Sequence, residues 1–381
     1  MITRAYLIAD PEVRADQMIG GMTALLRQIL SLQGAGIVEV VLVGAAAQAY
    51  RPDARVRLDV RCAANLPDRE DHPAMVAVAG AVWTPTFVER LVSAPVPAGS
   101  FLTSVRPGPF VIEPRTPADI DAATTLLMRS LYKPTDGIVS RYLNRRISLP
   151  ISRRLLSSPI TPNHLTAIAT LFGLAGVVVA YRGGYWNLLG GAALLQMQSL
   201  LDGCDGEVAR IKYQHSRIGE WFDQVADDVL NIAFLGAVGL ALSRAGHAWA
   251  SLVAGVSIAC QVVYVIALYA GLVVKAGGRG SVATLRWWVD TPGEPSPVAR
   301  VVGDLARRDF VCFFYLACAA ANAIAIAFVW QAIVTVASAV VTSIGWLAFG
   351  GPVKRGRESF SAGPQTVSNR AALSPFSSQK R

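Results

Sequence analysis

Asp202-Gly203-Cys204-Asp205-Gly206-Glu207-Val208-Ala209-Arg210, followed eight residues later by Gly219-x3-Asp223-x3-Asp227, decides how this chain is read. A helix turns about 100° per residue, so Asp202, Asp205, Gly206 and Ala209 share one face. By the same count Gly219, Asp223 and Asp227 form one stripe of a second helix. A loop holding Arg210, Lys212 and Arg217 joins the two, so they pair antiparallel and gather four carboxylates at one end. Crowded carboxylates at a membrane edge repel one another and lose solvation. Divalent cations remove that conflict. Mg²⁺, or Mn²⁺, takes carboxylate oxygens and keeps positions open for phosphate. Two such ions can clamp the oxygens around a phosphorus. Gly206, Ala209 and Gly219 are small enough for a ligand to approach the backbone, and Arg210 offers a fork of donors for phosphate.

The surroundings of that stretch are membrane-like. Of 381 residues, 53% are hydrophobic and only 16% charged. Mean hydropathy is +0.42. This excludes a disordered or fibrous chain and speaks against a wholly soluble enzyme. Long uncharged runs cover 161–181, 183–201, 229–243 (extended by 221–228), 245–274 and 310–353. A span needs about 20 residues, so the last run is read as two helices turning near residues 330–331, for six spans in all. Arg141, Arg145, Arg146, Arg153 and Arg154 precede span 1. Further Lys and Arg residues lie between spans 2 and 3, between spans 4 and 5, and after span 6, while the opposite side has only Arg182 and Arg244. Both termini are therefore expected on the cytoplasmic face of a multi-pass protein of the cell (inner) membrane. The net charge of +9 follows membrane edges, which favours lipid headgroups over nucleic acid as its partner.

The eight fixed residues and their gaps are those of the CDP-alcohol phosphatidyltransferase signature, D-x2-D-G-x2-A-R-x8-G-x3-D-x3-D, and the chain resembles that family over about residues 140–350. The resemblance implies six spans, and a transfer of a phosphoalcohol group from a CDP-alcohol to an acceptor hydroxyl with release of CMP. It implies that Asp202, Asp205, Asp223 and Asp227 hold two metal ions, and that Asp227 is the general base. It implies nucleotide contacts from Gly206, Ala209, Arg210, Gly219 and Ser216. Asn163 and Thr166, at the entry to span 1, join that set; a helix-capping role competes for this segment. The expected donor is CDP-diacylglycerol, the acceptor an alcohol or polyol phosphate, the assembly a homodimer. Asp228 lies about 140° from Asp223 and is expected to face away from the metals. Cys204 is read as an apolar filler, His215 as a loop residue, and Trp221, Trp287 and Trp288 as interface anchors. Positive-inside placement accounts for Arg279 and Arg286. The five cysteines show neither zinc nor disulfide spacing.

Residues 1–130 read as a soluble α/β domain. Strands are expected at 5–9, 38–44 and 75–82, with helices at 22–33 and 86–92. Alternation of this kind favours a parallel sheet. Gly20-Gly21-Met22, Gly36-Ile37 and Val40–Gly44 resemble sugar-phosphate nucleotidyltransferases. Against that family's active pattern, the loop after Ile8 lacks phosphate-cradling glycines, Met22 replaces a lysine, and Ala79-Gly80-Ala81 replaces a metal-binding aspartate. The domain is therefore expected to be inactive. Residues 131–160 are expected to form an amphipathic juxtamembrane segment interrupted at Pro150. Residues 161–353 form the membrane domain and 354–381 a disordered tail. The opening MITRAYLIADPEVRADQ carries acids where a signal peptide needs its apolar core, so no cleavable signal is expected. The fold class is thus a six-helix membrane protein with an N-terminal soluble α/β domain. Alternatives are a bifunctional cytidylyltransferase and phosphotransferase of inositol-phosphate metabolism, an acid-lined cation transporter and an inactive scaffold.

Overall fold

The computed structural model describes residues 2–67, 72–94, 102–132, 136–277, 285–286, 301, 303–354 and 373–375. The front domain is built on a sheet whose strands run in the spatial order Leu373–Pro375, Leu102–Val105, Ala74–Val78, Arg4–Ile8, Glu39–Val43, Asp59–Ala63. All neighbours pair parallel except the edge strand Leu373–Pro375, which is antiparallel. The central strands are apolar in continuous runs because helices α1 (Ala24–Gly34), α2 (Ala46–Ala49) and α3 (Pro85–Ser93) accompany them. Leu7, Leu25, Ile29, Leu42, Met75 and Trp83 centre this core.

Two boundaries differ from expectation. Met22–Thr23 closes a short ribbon with Met18–Ile19 across Gly20 and Gly21, both at positive φ, so α1 starts two residues later with Thr23 as its N-cap. The strand expected over 75–82 stops at Val78, because Gly80 (φ +92) turns the chain. Val82–Trp83 then pairs with Val111–Ile112 instead. Helix α4 (Pro117–Arg129), with a Thr116–Asp119 capping box, follows that ribbon.

The juxtamembrane segment opens with a π-helical turn at Ser140–Asn144 and continues as α5 (Arg145–Leu155). It is not interrupted at Pro150. Arg145 and Ser148 both bond the buried carboxylate of Glu207, and Arg145 also pairs with Asp136, so tertiary anchoring holds the helix through its proline. Leu149 and Ser152 are buried on the same face, while Arg146, Arg153 and Arg154 are exposed.

The remaining helices are α6 (Pro162–Tyr181), α7 (Tyr185–Ile211), α8 (Arg217–Arg244), α9 (Trp249–Ala276), α10 (Arg308–Ala320) and α11 (Ile324–Phe349). Among the described residues, four stretches are long and apolar enough to cross a membrane: Pro162–Tyr181, Ile218–Arg244, Trp249–Lys275 and Ile324–Phe349. The break between the last two helices lies at 321–323, not near 330–331. Asn322 adopts φ +54 there, a conformation asparagine tolerates. Gln331 is buried inside α11 and accepts from the Tyr315 hydroxyl, so nothing breaks the helix at that point. Small residues bring α6 and α7 into backbone contact: a Cβ on Gly191 would lie 2.8 Å from the Gly176 carbonyl oxygen. Of the tail, Val353–Lys354 pairs with Leu285–Arg286 and Leu373–Pro375 joins the sheet. The rest of the expected disordered stretch lies outside the described residues, as do Arg279, Trp287 and Trp288.

Candidate functional site

The antiparallel pair α7 and α8 brings the acidic residues to one end. Carboxylate oxygens of Asp202, Asp223 and Asp227 lie within 4.8 Å of one another. Asp223 Oδ1 is buried with no hydrogen-bond partner. An orphaned carboxylate oxygen beside two others suits a divalent cation, whose ligands are oxygens of this kind.

Asp205 stands apart from that trio. Its Oδ2 accepts from the Thr166 hydroxyl on α6, one turn into the helix. Thr166, expected to touch a nucleotide, therefore anchors an acidic residue in this structure. Thr161 and His164 form a capping box at the start of α6, so the capping role holds for Thr161.

Two residues outside the signature complete the cluster. Arg308, the first residue of α10, donates to Asp227 Oδ2, to Asp202 Oδ2 and to Gln198 Oε1. Gln198 in turn donates to Asp227 Oδ1 at 3.1 Å. Both oxygens of Asp227 are thus held. Gln198 precedes Asp202 by four residues on α7, so helical spacing alone could have placed it on the acidic face. Arg308 carries no such signal; in the sequence it is one more cation at a span boundary.

The nucleotide-side expectations converge in part. Ser216 caps α8 and accepts from Gly219 N at 2.9 Å. A Cβ on Gly219 would meet Ser216 Oγ at 2.7 Å and Asn163 Oδ1 at 2.8 Å. Asn163, Ser216 and Gly219 therefore form one edge, contributed by α6 and α8. Arg210 folds back along α7, its Nε donating to the Gly206 carbonyl at 2.8 Å. A Cβ on Gly206 would lie 3.4 Å from the Arg210 guanidinium. Ala209 is half-buried on the same stretch of α7.

Asp228 accepts from the Tyr269 hydroxyl at 2.6 Å, on a different face from Asp223. Cys204 is fully buried with Leu165 and Val208. Trp221 packs on Tyr269.

In the front domain, Asp10 and Glu12 of the loop after Ile8 are both paired with Arg115, which also bonds Glu113. Met22 is buried. Gln28 closes the turn after Val78, donating to Val78 O and accepting from Gly80 N.

Residues 159–344 match the family model described as CDP-alcohol phosphatidyltransferase. A bifunctional IPC transferase and DIPP synthase of Aquifex aeolicus (strain VF5) is 40% identical over 136 residues, 35% of this chain and 31% of that protein. A phosphatidylinositol phosphate synthase of Mycobacterium marinum is 32% identical over 98 residues, 26% of this chain and 41% of that one. A crystal structure of Mycobacterium tuberculosis phosphatidylinositol phosphate synthase with CDP-DAG bound is 21% identical, with a TM-score of 0.34. It covers 53% of this chain and 94% of that chain. The chain spans less than a third of the length of its bifunctional relatives.

Proposed function

We propose, from the premise that this chain carries a CDP-alcohol phosphatidyltransferase domain at residues 159–344, that it moves a phosphoalcohol group from a CDP-alcohol to an acceptor hydroxyl in phospholipid biosynthesis. The approach of Asp202, Asp223 and Asp227 within 4.8 Å at paired helix ends carries the reading. CDP-diacylglycerol is the donor and an alcohol or polyol phosphate the acceptor. The acceptor oxygen forms a new bond to the phosphorus bearing the diacylglycerol. The bond from that phosphorus to the bridging oxygen breaks, and CMP leaves with the electron pair. Asp227 takes the hydroxyl proton. Gln198 and Arg308 orient its two oxygens for that transfer.

Asp202, Asp223 and Asp227 would hold Mg²⁺ or Mn²⁺, with Asp205 turning from Thr166 to complete a two-ion set. Bound there, the ions would neutralise the pyrophosphate oxygens. Asn163, Ser216, Gly219, Ala209, Gly206 and Arg210 would line the cytidine nucleotide. Most of the catalysis is positioning and charge stabilisation. The chain would cross the cell (inner) membrane six times, with α7 and α10 packed among the four helices named above as long and apolar enough to span. Both termini would be cytoplasmic and the assembly a homodimer. The front domain, 1–130, would lack catalytic activity of its own.

Purified protein supplied with CDP-diacylglycerol, Mg²⁺ and a panel of polyols and polyol phosphates is expected to release CMP. No release with any acceptor, while a known family member reacts alongside, overturns the proposal. The names of the bifunctional relatives favour a second reading, in which the front domain is a cytidylyltransferase. CTP-dependent pyrophosphate release would establish it; the replaced lysine and aspartate positions predict none.

A further inference from the structure

Helix α7 ends against the front domain. Gln214 N bonds back to Ala209 O, and Tyr213 between them adopts φ +50. This is a left-handed helix stop, a position usually held by glycine. The last carbonyls of a helix have no partners within it. Here two arginines from the front domain supply them. Arg27 Nη1 donates to Ile211 O at 2.7 Å, and Arg55 Nη1 to Lys212 O at 2.7 Å.

Arg27 is 2% exposed. Its other nitrogens donate to Ile19 O and Gly20 O, and its guanidinium lies over the Tyr213 ring, 5.9 Å from the centroid. A buried cation needs full pairing, and the negative end of α7 helps provide it. Lys212 extends the junction, donating to Leu155 O, Ser158 O and Ile160 O ahead of α6. The fit is close: a Cβ on Gly21 would lie 2.6 Å from Leu156 O, and one on Gly20 would lie 3.0 Å from Ile211 Cγ2.

We infer that the front domain positions the nucleotide edge of the transfer site, with Arg27 on Tyr213 and Ile211 as the positioning contact. The inference rests on the transferase reading above. Arg210 is the residue before Ile211, and only Gln214 and His215 separate Tyr213 from Ser216. A shift in the last turn of α7 therefore moves Arg210 and the Ser216–Gly219 edge together. The acidic cluster begins two turns further up α7 and is also tied to α10, so it is held independently.

The test compares full-length wild type with Arg27→Lys, Arg27→Ala and Tyr213→Gly. Tyr213→Gly suits the left-handed position and keeps the helix stop, so it folds even where Arg27→Ala does not. Tyr213→Gly and Arg27→Ala are expected to raise the KM for CDP-diacylglycerol and the Kd for CDP about tenfold, with Arg27→Lys in between. Mn²⁺ binding at the acidic cluster, read by electron paramagnetic resonance, stays within about twofold of wild type. Unchanged donor KM and CDP affinity in Tyr213→Gly overturn the inference. Parallel loss of CDP and Mn²⁺ binding also overturns it, because the contact then supports the fold as a whole. Wild type that neither binds CDP nor releases CMP rejects the transferase reading instead.

Discussion

Arg308 and Asp227 form an ion pair inside the acidic cluster, with Asp202 as a second acceptor for the same guanidinium nitrogen. The arginine supplies positive charge where three carboxylates converge, and it shares two of them with any cation bound there. Arg308→Ala is expected to strengthen Mn²⁺ binding, because a competing like charge is gone. It is also expected to lower CMP release about 100-fold, because Asp227 loses an orienting partner. Titration of Mn²⁺ beside a CMP-release assay separates the two effects; equal loss of both would mark a folding defect.

Asp223 carries the orphaned oxygen of the cluster. Asp223→Asn removes a negative charge and one ligand atom, so CMP release is expected to fall about 1,000-fold or more. Vesicles reconstituted with wild-type protein are expected to show no cation flux. Flux that disappears in Asp223→Asn, without CMP release by wild type, would identify a transporter.

Gly219 and Gly206 respond differently to a methyl group. At Gly219 a Cβ collides with Ser216 Oγ and Asn163 Oδ1, whereas at Gly206 it meets only the mobile end of Arg210 at 3.4 Å. Gly219→Ala therefore disturbs the edge more, and its donor KM is expected to exceed that of Gly206→Ala. Steady-state kinetics on the two single variants decides it.

Asp53 lies in the front domain, hydrogen-bonded to Arg55, which caps the end of α7. The Arg55 hydrogen bond holds the Asp53 carboxyl down at about 2. The folded value is below the unfolded one, so the pair stabilises above about pH 4 and the benefit fades as pH falls toward 2. With both side chains partly exposed, Asp53→Asn is expected to cost about 1 kcal/mol at neutral pH. Unfolding midpoints followed from pH 6 to 2 are expected to converge with wild type at the acid end.

The periodicity of the acidic stretch was enough to bring Asp202, Asp223 and Asp227 together, because two helices and a short loop leave little freedom. Asp205 shares their face, yet its carboxylate pairs with Thr166; rotamer choice on α7 depends on α6, which spacing within one helix does not encode. Arg308 lies more than eighty residues downstream of the last signature aspartate, and only helix packing brings it in. The apolar run over 310–353 announced two helices but not their junction. That junction depends on one residue, Asn322, taking a left-handed conformation in an otherwise uniform stretch. In the front domain the alternation of apolar runs and helices predicted the parallel sheet. Its docking through Arg27 and Arg55 was invisible, since both look like ordinary surface cations until the carbonyls of α7 are in place.

Helices α7 and α8 are each about 40 Å long at 1.5 Å per residue, some 10 Å more than the oily slab of a bilayer. Asp202 and Asp227 each lie about 25 Å from the far ends of their helices. With both helices spanning as proposed above, the cluster would sit at the height where acyl chains give way to ester groups, with two to three turns of α7 and α8 overhanging into water. At that depth the diacylglycerol anchor of the proposed donor would stay immersed while its headgroup met the acids, and the proposed water-soluble acceptor would arrive from the overhanging side. The length of two rods would thus set a meeting level for partners from different phases, with no need to lift a lipid from its leaflet.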